Sequence, residues 1–598
     1  MKRKLPYTDT FFRCKRQKTD DNNNSQFDKQ WIDKQNDKTN WEIRWSLRYQ
    51  YLKYYMKNYL DKTTNDEKHI EYGNAYTKYK HNDLLRYIYV RDGDDKISYK
   101  GKLSQLIWNG NNGFYYNIFQ YTKTHKDNNN TKSFIYYHQL GQKNDKLIYQ
   151  YEHKECDNIL CNIIITEDAQ YLIINKYYIN EEKDKSKIIN LKTIQQYYLC
   201  GSLTYITNKD ELFYFISNKN TPNNKLITLN INKTDEKFWT TLISENENML
   251  IDAIDIDNKY LVLKYIQNAS HILQVHNLKN GKFINKVDAP KHCSIKYNAS
   301  DNSNEFFYTC ESFLMPKTTY CYSFKTKKST LIETEELKWF QSDKYMLEQV
   351  FYESIDGTNI PMYIISRSDR KKNGEEICLV EGYGGFGTAM MPEFDWSYIA
   401  FLDLVGTCIA IPNIRGGGEF GHQWHNHGRM EYKQNTFDDF QMAGKYLINE
   451  KYVHPNKLAA FGSSNGGLLI GTCVNQSPEL FKVAIIGNAV LDMLQFHKYH
   501  QGQWWLCEYG NPDNKKHIRY LENYSPLHNI DPKINYPHIF VLTSEKDNIV
   551  TPIHSYQYFD KLSQCHDKCL IKIHDSKLHT HTYDDIIDIY TFIALHIN

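Results

Sequence analysis

Between about residues 70 and 340 the chain is written in short apolar or alternating runs: FIYYHQL, QYLIINKYYI, ELFYFIS, KLITLNI, YLVLKYI, HILQVHNL, EFFYTC and TTYCYSF. Turn-rich stretches such as NKNTPNN, NLKNGK and NASDNSN separate them. Side chains that alternate between two faces, in a chain that reverses every few residues, are the pattern of many short antiparallel strands. The region is too long for one ordinary sandwich, so it predicts a propeller of four-stranded blades. Two stacked sandwiches are the alternative, and no repeated motif fixes a blade count.

Beyond about residue 345 the pattern changes. Apolar runs EEICLVEGY, GTCIAIPNI, KLAAFG, FKVAIIGNA and HIFVLTSE alternate with helical stretches such as FDDFQMAGKYLINE and GGLLIGTCVNQSPELF. This predicts an α/β domain, a doubly wound, mostly parallel sheet with helices on both faces and catalytic residues beyond the carboxyl ends of its strands. Ahead of the β region, WEIRWSLRYQYLKYYMKNYLD sets Trp41, Trp45, Leu52, Tyr55 and Tyr59 near helical spacing, an amphipathic helix expected to pack on another domain. Four segments follow: a polar tail over 1–40, a helical segment over 41–69, an all-β domain over 70–344 and an α/β domain over 345–598.

Length agrees, since 598 residues suit two or three domains. Charge adds little: 73 basic against 71 acidic residues leave +2, no global field to attract nucleic acid or an acidic membrane. The first eighteen residues differ, with Lys2, Arg3, Lys4, Arg13, Lys15, Arg16 and Lys18 against Asp9. A disordered tail running into DDNNNSQ is preferred to a nuclear address or a polyanion-binding arm.

No apolar run approaches the roughly 20 residues of a membrane helix, and the start lacks a secretory apolar core. The thirteen cysteines form no C-x-x-C pair, which points to reduced thiols and a cytoplasmic protein. Cys565, His566 and Cys569 lack a second ligand pair and read as a surface helix rather than a metal clip. Abundant Asn, Lys, Ile and Tyr are attributed to codon bias, so Asn/Lys clusters carry little meaning.

The chemistry centres on AFGSSNGGLL. Gly462-Ser463-Ser464-Asn465-Gly466 fits G-x-S-x-G, the strand-to-helix turn that raises a serine hydroxyl above an α/β-hydrolase sheet. An ordinary Gly/Ser turn is the plain alternative, but KLAAFG is strand-like and a helix begins immediately after the serine, supplying free backbone N–H groups. Ser464 holds the central position and Ser463 the variable one. A serine needs an imidazole base and an orienting carboxylate, in the order Ser, Asp or Glu, His. Asp547 follows the strand HIFVLTSE, with Glu545 a weaker neighbour. After CLIKIHD come His579 and His581, and either serves as base.

At this point the motifs EGYGGFG (381–387), IPNIRGGGEFG (411–421), KQNTFDDFQ (433–441), GSSNGGLL (462–469), DMLQFHKY (492–499) and YSPLHNI (524–530) resemble the prolyl oligopeptidase family of serine peptidases. The resemblance is close over 345–598 and fainter back to about residue 100. It implies an α/β-hydrolase domain with an all-β propeller-like domain. It matches Ser464 to the nucleophile, Asp547 to the acid and His579 to the base, with His581 as second choice because Leu578 replaces the family's usual glycine. Tyr383 and the backbone N–H of Asn465 match the oxyanion hole. Phe386, Val490, Trp505, Tyr509 and Val550 match the S1 pocket, whose indole face suits proline and whose apolar walls disfavour a cation. Trp504 and Trp505 as ordinary core aromatics are the alternative.

Two departures stand out. Ile549 occupies the position of the family's arginine for the P2 carbonyl; a charged hydrogen bond of about 1.5–3 kcal/mol is lost, enough to slow turnover or weaken binding about ten-fold or more. The region before the matched propeller strands is also short, so a reduced propeller is expected. The resulting expectation is a monomeric, cytoplasmic oligopeptidase that cleaves short peptides after proline, needs no cofactor or metal, and contacts neither nucleic acid nor membrane. The rivals are a relative that prefers basic P1 residues, with Asp492 as its one nearby acid, and an inactive hydrolase fold kept as a binding protein.

Overall fold

The computed structural model describes residues 27–60, 71–72, 75–78, 85–90, 96–100, 102–110, 112–123, 129–153, 159–178, 185–298, 304–499, 501–576 and 579–597. The basic stretch of the first eighteen residues and Leu578 lie outside the described residues. The chain divides into two compact units, one of 1–63, 246–252 and 259–598, the other of 64–245 and 253–258.

The first unit is built on an eight-stranded sheet: β1 (Tyr345–Glu353), β2 (Asn359–Arg367), β3 (Cys378–Glu381), β4 (Cys408–Pro412), β5 (Leu458–Ser463), β6 (Val483–Gly487), β7 (His538–Ser544) and β8 (Cys569–His574). Its order is β1-β2-β4-β3-β5-β6-β7-β8. The first two strands join antiparallel and every later pair is parallel. The apolar runs became β3 to β8; the antiparallel pair β1–β2 carries the more mixed sequence and was not foreseen.

Continuous apolar runs make sense in strands covered on both sides. Successive residues face opposite ways, so Val380, Ala460, Ile486 and Val541 enter one core while Leu379, Ala459, Ile485 and Phe540 enter the other. The first core also takes Phe437 and Phe440 from the Lys433–Asn449 helix and Leu468 from the Asn465–Gln476 helix. The second takes Ile587 and Ile593 from the Tyr583–His596 helix.

The tail expected to reach residue 40 ends sooner. Lys29–Thr39 is a helix capped by the Asp28 carboxylate, which accepts from the Trp31 N–H at 2.9 Å, and Phe27 and Ile32 are buried in the first core. Asn36 makes the connection: its Nδ2 donates to the Ile573 carbonyl and its Oδ1 accepts from the Ile573 N–H, each at 2.9 Å. One side-chain amide thus satisfies the outer backbone of β8, the last strand, as a neighbouring strand would. The Thr39 hydroxyl adds a bond to the Ile571 carbonyl at 2.6 Å.

The next helix faces differently from its predicted pattern. A π-helical turn over Asn40–Arg44 precedes Leu47–Leu60 and shifts the phase of the apolar stripe. Ile43, Tyr49, Leu52 and Met56 are buried, whereas Trp41, Trp45 and Tyr55 are exposed. Of the residues expected to pack, Leu52 does so; the Tyr59 side chain lies outside the description.

The β region forms, among the described residues, six four-stranded sheets over 71–100, 102–153, 159–200, 203–243, 249–286 and 294–334, each pairing its strands in chain order. Within the second unit, consecutive sheets pack face to face. Ile88 of the first meets Phe114 of the second, Tyr115 and Ile135 of the second meet Leu172 and Ile174 of the third, and Tyr171 of the third meets Phe213 of the fourth with ring centroids 5.1 Å apart. A sheet covered on both faces by its neighbours in sequence is a blade in a series, not half of a sandwich.

Candidate active site

Backbone strain marks the candidate nucleophile. Ser464 has φ +58° and ψ −117° between the end of β5 and the start of the Asn465–Gln476 helix, a conformation a non-glycine residue adopts only where its surroundings impose it. Neighbouring glycines permit the tight turn. A Cβ on Gly462 would lie 2.2 Å from the Gly466 carbonyl oxygen, and one on Gly466 would lie 2.5 Å from the Gly382 carbonyl oxygen. The Ser464 N–H donates to the Gly487 carbonyl at 2.9 Å, closing the elbow against β6.

Asp547 lies just beyond β7 and is buried. Its Oδ1 accepts from the N–H groups of Ile549 and Val550 at 2.8 and 3.1 Å, which leaves Oδ2 for the imidazole. His579 Nδ1 meets that oxygen at 2.6 Å, while its Nε2 is buried without a hydrogen-bond partner among the described residues. Asn488 Nδ2 holds the His579 carbonyl at 2.9 Å. His581 goes elsewhere: its Nε2 lies 3.0 Å from Ser463 Oγ. Of the two candidate histidines, His579 is therefore the one on the carboxylate. Glu545 instead follows β7, its backbone N–H bonded to the His574 carbonyl at 2.8 Å.

Tyr383 lies near enough to Ser464 for the serine side chain to pull on its phenol, but burial, reinforced by the Glu508 carboxylate, outweighs that pull and pushes the phenol up to about 12. The hydroxyl therefore keeps its proton and can donate. The Asn465 side chain is used structurally: Nδ2 donates to the Tyr383 carbonyl at 2.5 Å and Oδ1 accepts from the Tyr509 hydroxyl at 3.0 Å. Its backbone N–H stands at the helix start, where intrahelical partners are missing.

Sequence reasoning missed what lies beneath this loop. Glu508, fully buried, meets His425 Nε2 at 2.7 Å and Lys433 Nζ at 3.2 Å, and Lys433 also donates to the Gly384 carbonyl at 2.8 Å. Burial opposes ionisation of Glu508, but Lys433 and His425 outweigh it and hold the carboxyl below its usual range. Burial likewise lowers Lys433. KQNTFDDFQ contains Lys433, yet nothing in its spacing pairs it with Glu508.

Three of the expected pocket residues are linked through another unforeseen side chain, Phe496. Phe386 stands edge-on to Tyr509 at 5.6 Å, Tyr509 edge-on to Phe496 at 5.4 Å, and Phe496 stacks with Trp505 at 6.4 Å. Val490 and Val550 are buried in the same apolar core, with Trp505 and Ile549 partly buried against it. Asp492 is turned to local use: one oxygen accepts from the N–H groups of Leu494 and Gln495 at 3.0 Å each.

A strained serine at a strand-to-helix elbow, a phenol beside it and a carboxylate-bound histidine are the parts of a serine hydrolase of α/β-hydrolase fold. Comparison with known proteins narrows the class. The family model described as "Prolyl oligopeptidase family" matches residues 392–597, and "Prolyl oligopeptidase, N-terminal beta-propeller domain" matches 60–335. The prolyl endopeptidase of Elizabethkingia meningoseptica is 31% identical over 495 residues, covering 80% of this chain and 69% of the relative. A dual function macrocyclase-peptidase of Galerina marginata is 31% identical over 480 residues, covering 77% and 65%. The solved structure of prolyl oligopeptidase B from Galerina marginata, bound to a 35mer hydrolysis and macrocyclization substrate, superposes with a TM-score of 0.78 at 28% identity, covering 88% of this chain and 77% of that one. The chain belongs to the prolyl oligopeptidase family of serine peptidases, with a carboxyl-terminal α/β domain and an amino-terminal propeller-like domain. No helix among the described residues is long and apolar enough to cross a membrane.

Proposed function

We propose that the chain hydrolyses short peptides on the carboxyl side of proline through an acyl-enzyme. The carrying observation is His579, whose Nδ1 is engaged by Asp547 while Nε2 meets no described partner, and which, like the strained Ser464, follows the carboxyl end of a strand of the parallel sheet. Ser464 Oγ attacks the scissile carbonyl, and His579 Nε2 takes its proton and returns it to the leaving amine. Asp547 holds the tautomer and stabilises the imidazolium. Tyr383 and the Asn465 N–H donate to the oxyanion. The reaction calls for no cofactor.

Proline at P1 is favoured by the Phe386 and Trp505 rings, with the buried Tyr509 behind them, because apolar ring faces suit a pyrrolidine. A basic P1 residue would need a free carboxylate. Asp492 is occupied by backbone N–H groups, and Glu508 is already paired with Lys433 and His425.

The test is hydrolysis of two matched fluorogenic peptides, proline or arginine at P1, by the wild type and by Ser464→Ala. Proline-selective cleavage that disappears in the variant is expected. Arginine-selective cleavage would overturn the pocket argument and keep the nucleophile, and cleavage surviving in Ser464→Ala would overturn the nucleophile itself. No cleavage of either peptide by the wild type would favour a binding protein on a hydrolase fold.

A further inference from the structure

Resting on that reading of Ser464 and His579, we propose that His581 and Ser463 form a positioning pair that fixes the histidine loop against the nucleophile's own strand. The loop leaves β8 at His574 and enters the Tyr583–His596 helix at Thr582. His574 Nε2 at one end faces the Asp585 carboxylate just past the other, and Asp585 accepts from the Thr582 N–H at 2.7 Å. His579 is tied to Asp547 beyond β7 and, through its carbonyl, to Asn488 beyond β6. Neither contact sets the loop relative to β5, which delivers Ser464.

His581 supplies that missing reference. Its Nε2 lies 3.0 Å from Ser463 Oγ, and its ring lies 5.6 Å from the Phe461 ring; both partners belong to β5. The end of β6 leaves room for the contact. A Cβ on Gly487 would stand 2.5 Å from His581 Nε2 and 3.2 Å from Ser463 Oγ, so a side chain there would displace the imidazole. The bond therefore joins the residue before the nucleophile to the residue two positions after the base, and a shift of either would be felt by the pair that reacts.

Ser463 and His581 do not make a second catalytic dyad. Burial lowers the imidazole to about 4, against an opposing pull from Asp585, so the ring is neutral at neutral pH and a poor base for a serine. Its role is geometric.

The experiment compares Ser463→Ala, His581→Ala, their double variant, His581→Gln and, as a control on the nucleophile, Ser464→Ala with the wild type. It reads the rate of fluorophosphonate labelling at Ser464, kcat and KM on the P1-proline peptide, and the unfolding temperature. Each single alanine variant is expected to label about ten-fold more slowly and to lose kcat equally, with KM within about two-fold. The double variant should be no slower than the worse single, because both remove one bond. His581→Gln, whose Nε2 reaches the same hydroxyl, should recover most of the rate. Labelling within about two-fold of wild type in both singles overturns the pair, as does a double variant that falls by the product of the single effects. Losses that follow the unfolding temperature, without rescue by glutamine, also overturn it. Undiminished labelling of Ser464→Ala would instead overturn the underlying assignment of the nucleophile.

Discussion

The nucleophile elbow and the amino-terminal helix meet the same sheet, one in its interior and the other at its last edge, and opposite means hold them there. At the elbow the turn depends on missing atoms: Gly462 and Gly466 let backbone pass within distances that any Cβ would forbid. At the edge the contact depends on an added polar group, the Asn36 amide that pairs with both backbone groups of Ile573. Steric necessity restricts the residue type, and restriction is what a motif is. A side-chain amide on a strand edge leaves no such restriction.

The contrast is sharpest in what each region does when altered. At the elbow the largest effect is expected from Asp547→Asn. An amide presents an N–H or a weaker acceptor to His579 Nδ1, so the imidazole turns to the tautomer that protonates Nε2, and the base is lost. On a P1-proline peptide kcat should fall about 10⁴-fold with KM little changed, while the unfolding temperature moves little. Retention of more than a tenth of the activity would break the assignment of Asp547 and return weight to Glu545.

A smaller loss is expected from Tyr383→Phe. The phenol held near Ser464 keeps its proton, since burial pushes it up to about 12, and its hydroxyl is a donor that matters most once the oxyanion forms. Removing it should lower kcat about 10²–10³-fold and leave KM within about three-fold. Equal losses in binding and turnover would assign Tyr383 to the pocket wall instead.

Much of the α/β domain was legible because its strands are buried on both faces: β3 to β8 read as apolar runs, and Ser464 and Asp547 stand where those runs end. His579 was legible only as one of two, since His579 and His581 occupy the same loop and only their partners, Asp547 and Ser463, separate them. Phe496 and Glu508 were invisible for a different reason. Each acts through contacts distant in sequence, Phe496 with Trp505 and Tyr509, Glu508 with Lys433 and His425. The sheets of the propeller-like region were visible as alternation, but their number was not, because no residue type repeats from one to the next. The tail was read too far because Asn and Lys were credited to composition, and a short helix with one buried apolar residue, Ile32, behind a buried Phe27 ahead of its cap, gives a weak periodic signal.

That error supplies the mildest and most specific test of the contrast. Asn36→Ala removes both bonds to Ile573 and leaves the outer N–H and carbonyl of β8 without a partner from this helix. Such groups cost about 1–3 kcal/mol when unsatisfied, so the variant should unfold at lower denaturant with kcat and KM unchanged. Trp45→Ser is its control. The indole is 80% exposed, so stability should stay within about 0.5 kcal/mol of wild type. If Asn36→Ala were as silent as Trp45→Ser, water would be replacing the amide at the edge of β8. The amino-terminal helix would then be held by the Thr39 hydroxyl and by apolar contacts such as Phe27, Ile32 and Trp31 against Tyr556 and Phe559. If Asn36→Ala also lowered kcat, the edge and the interior of the sheet would be coupled, and the division between a helix that stabilises and an elbow that reacts would fail.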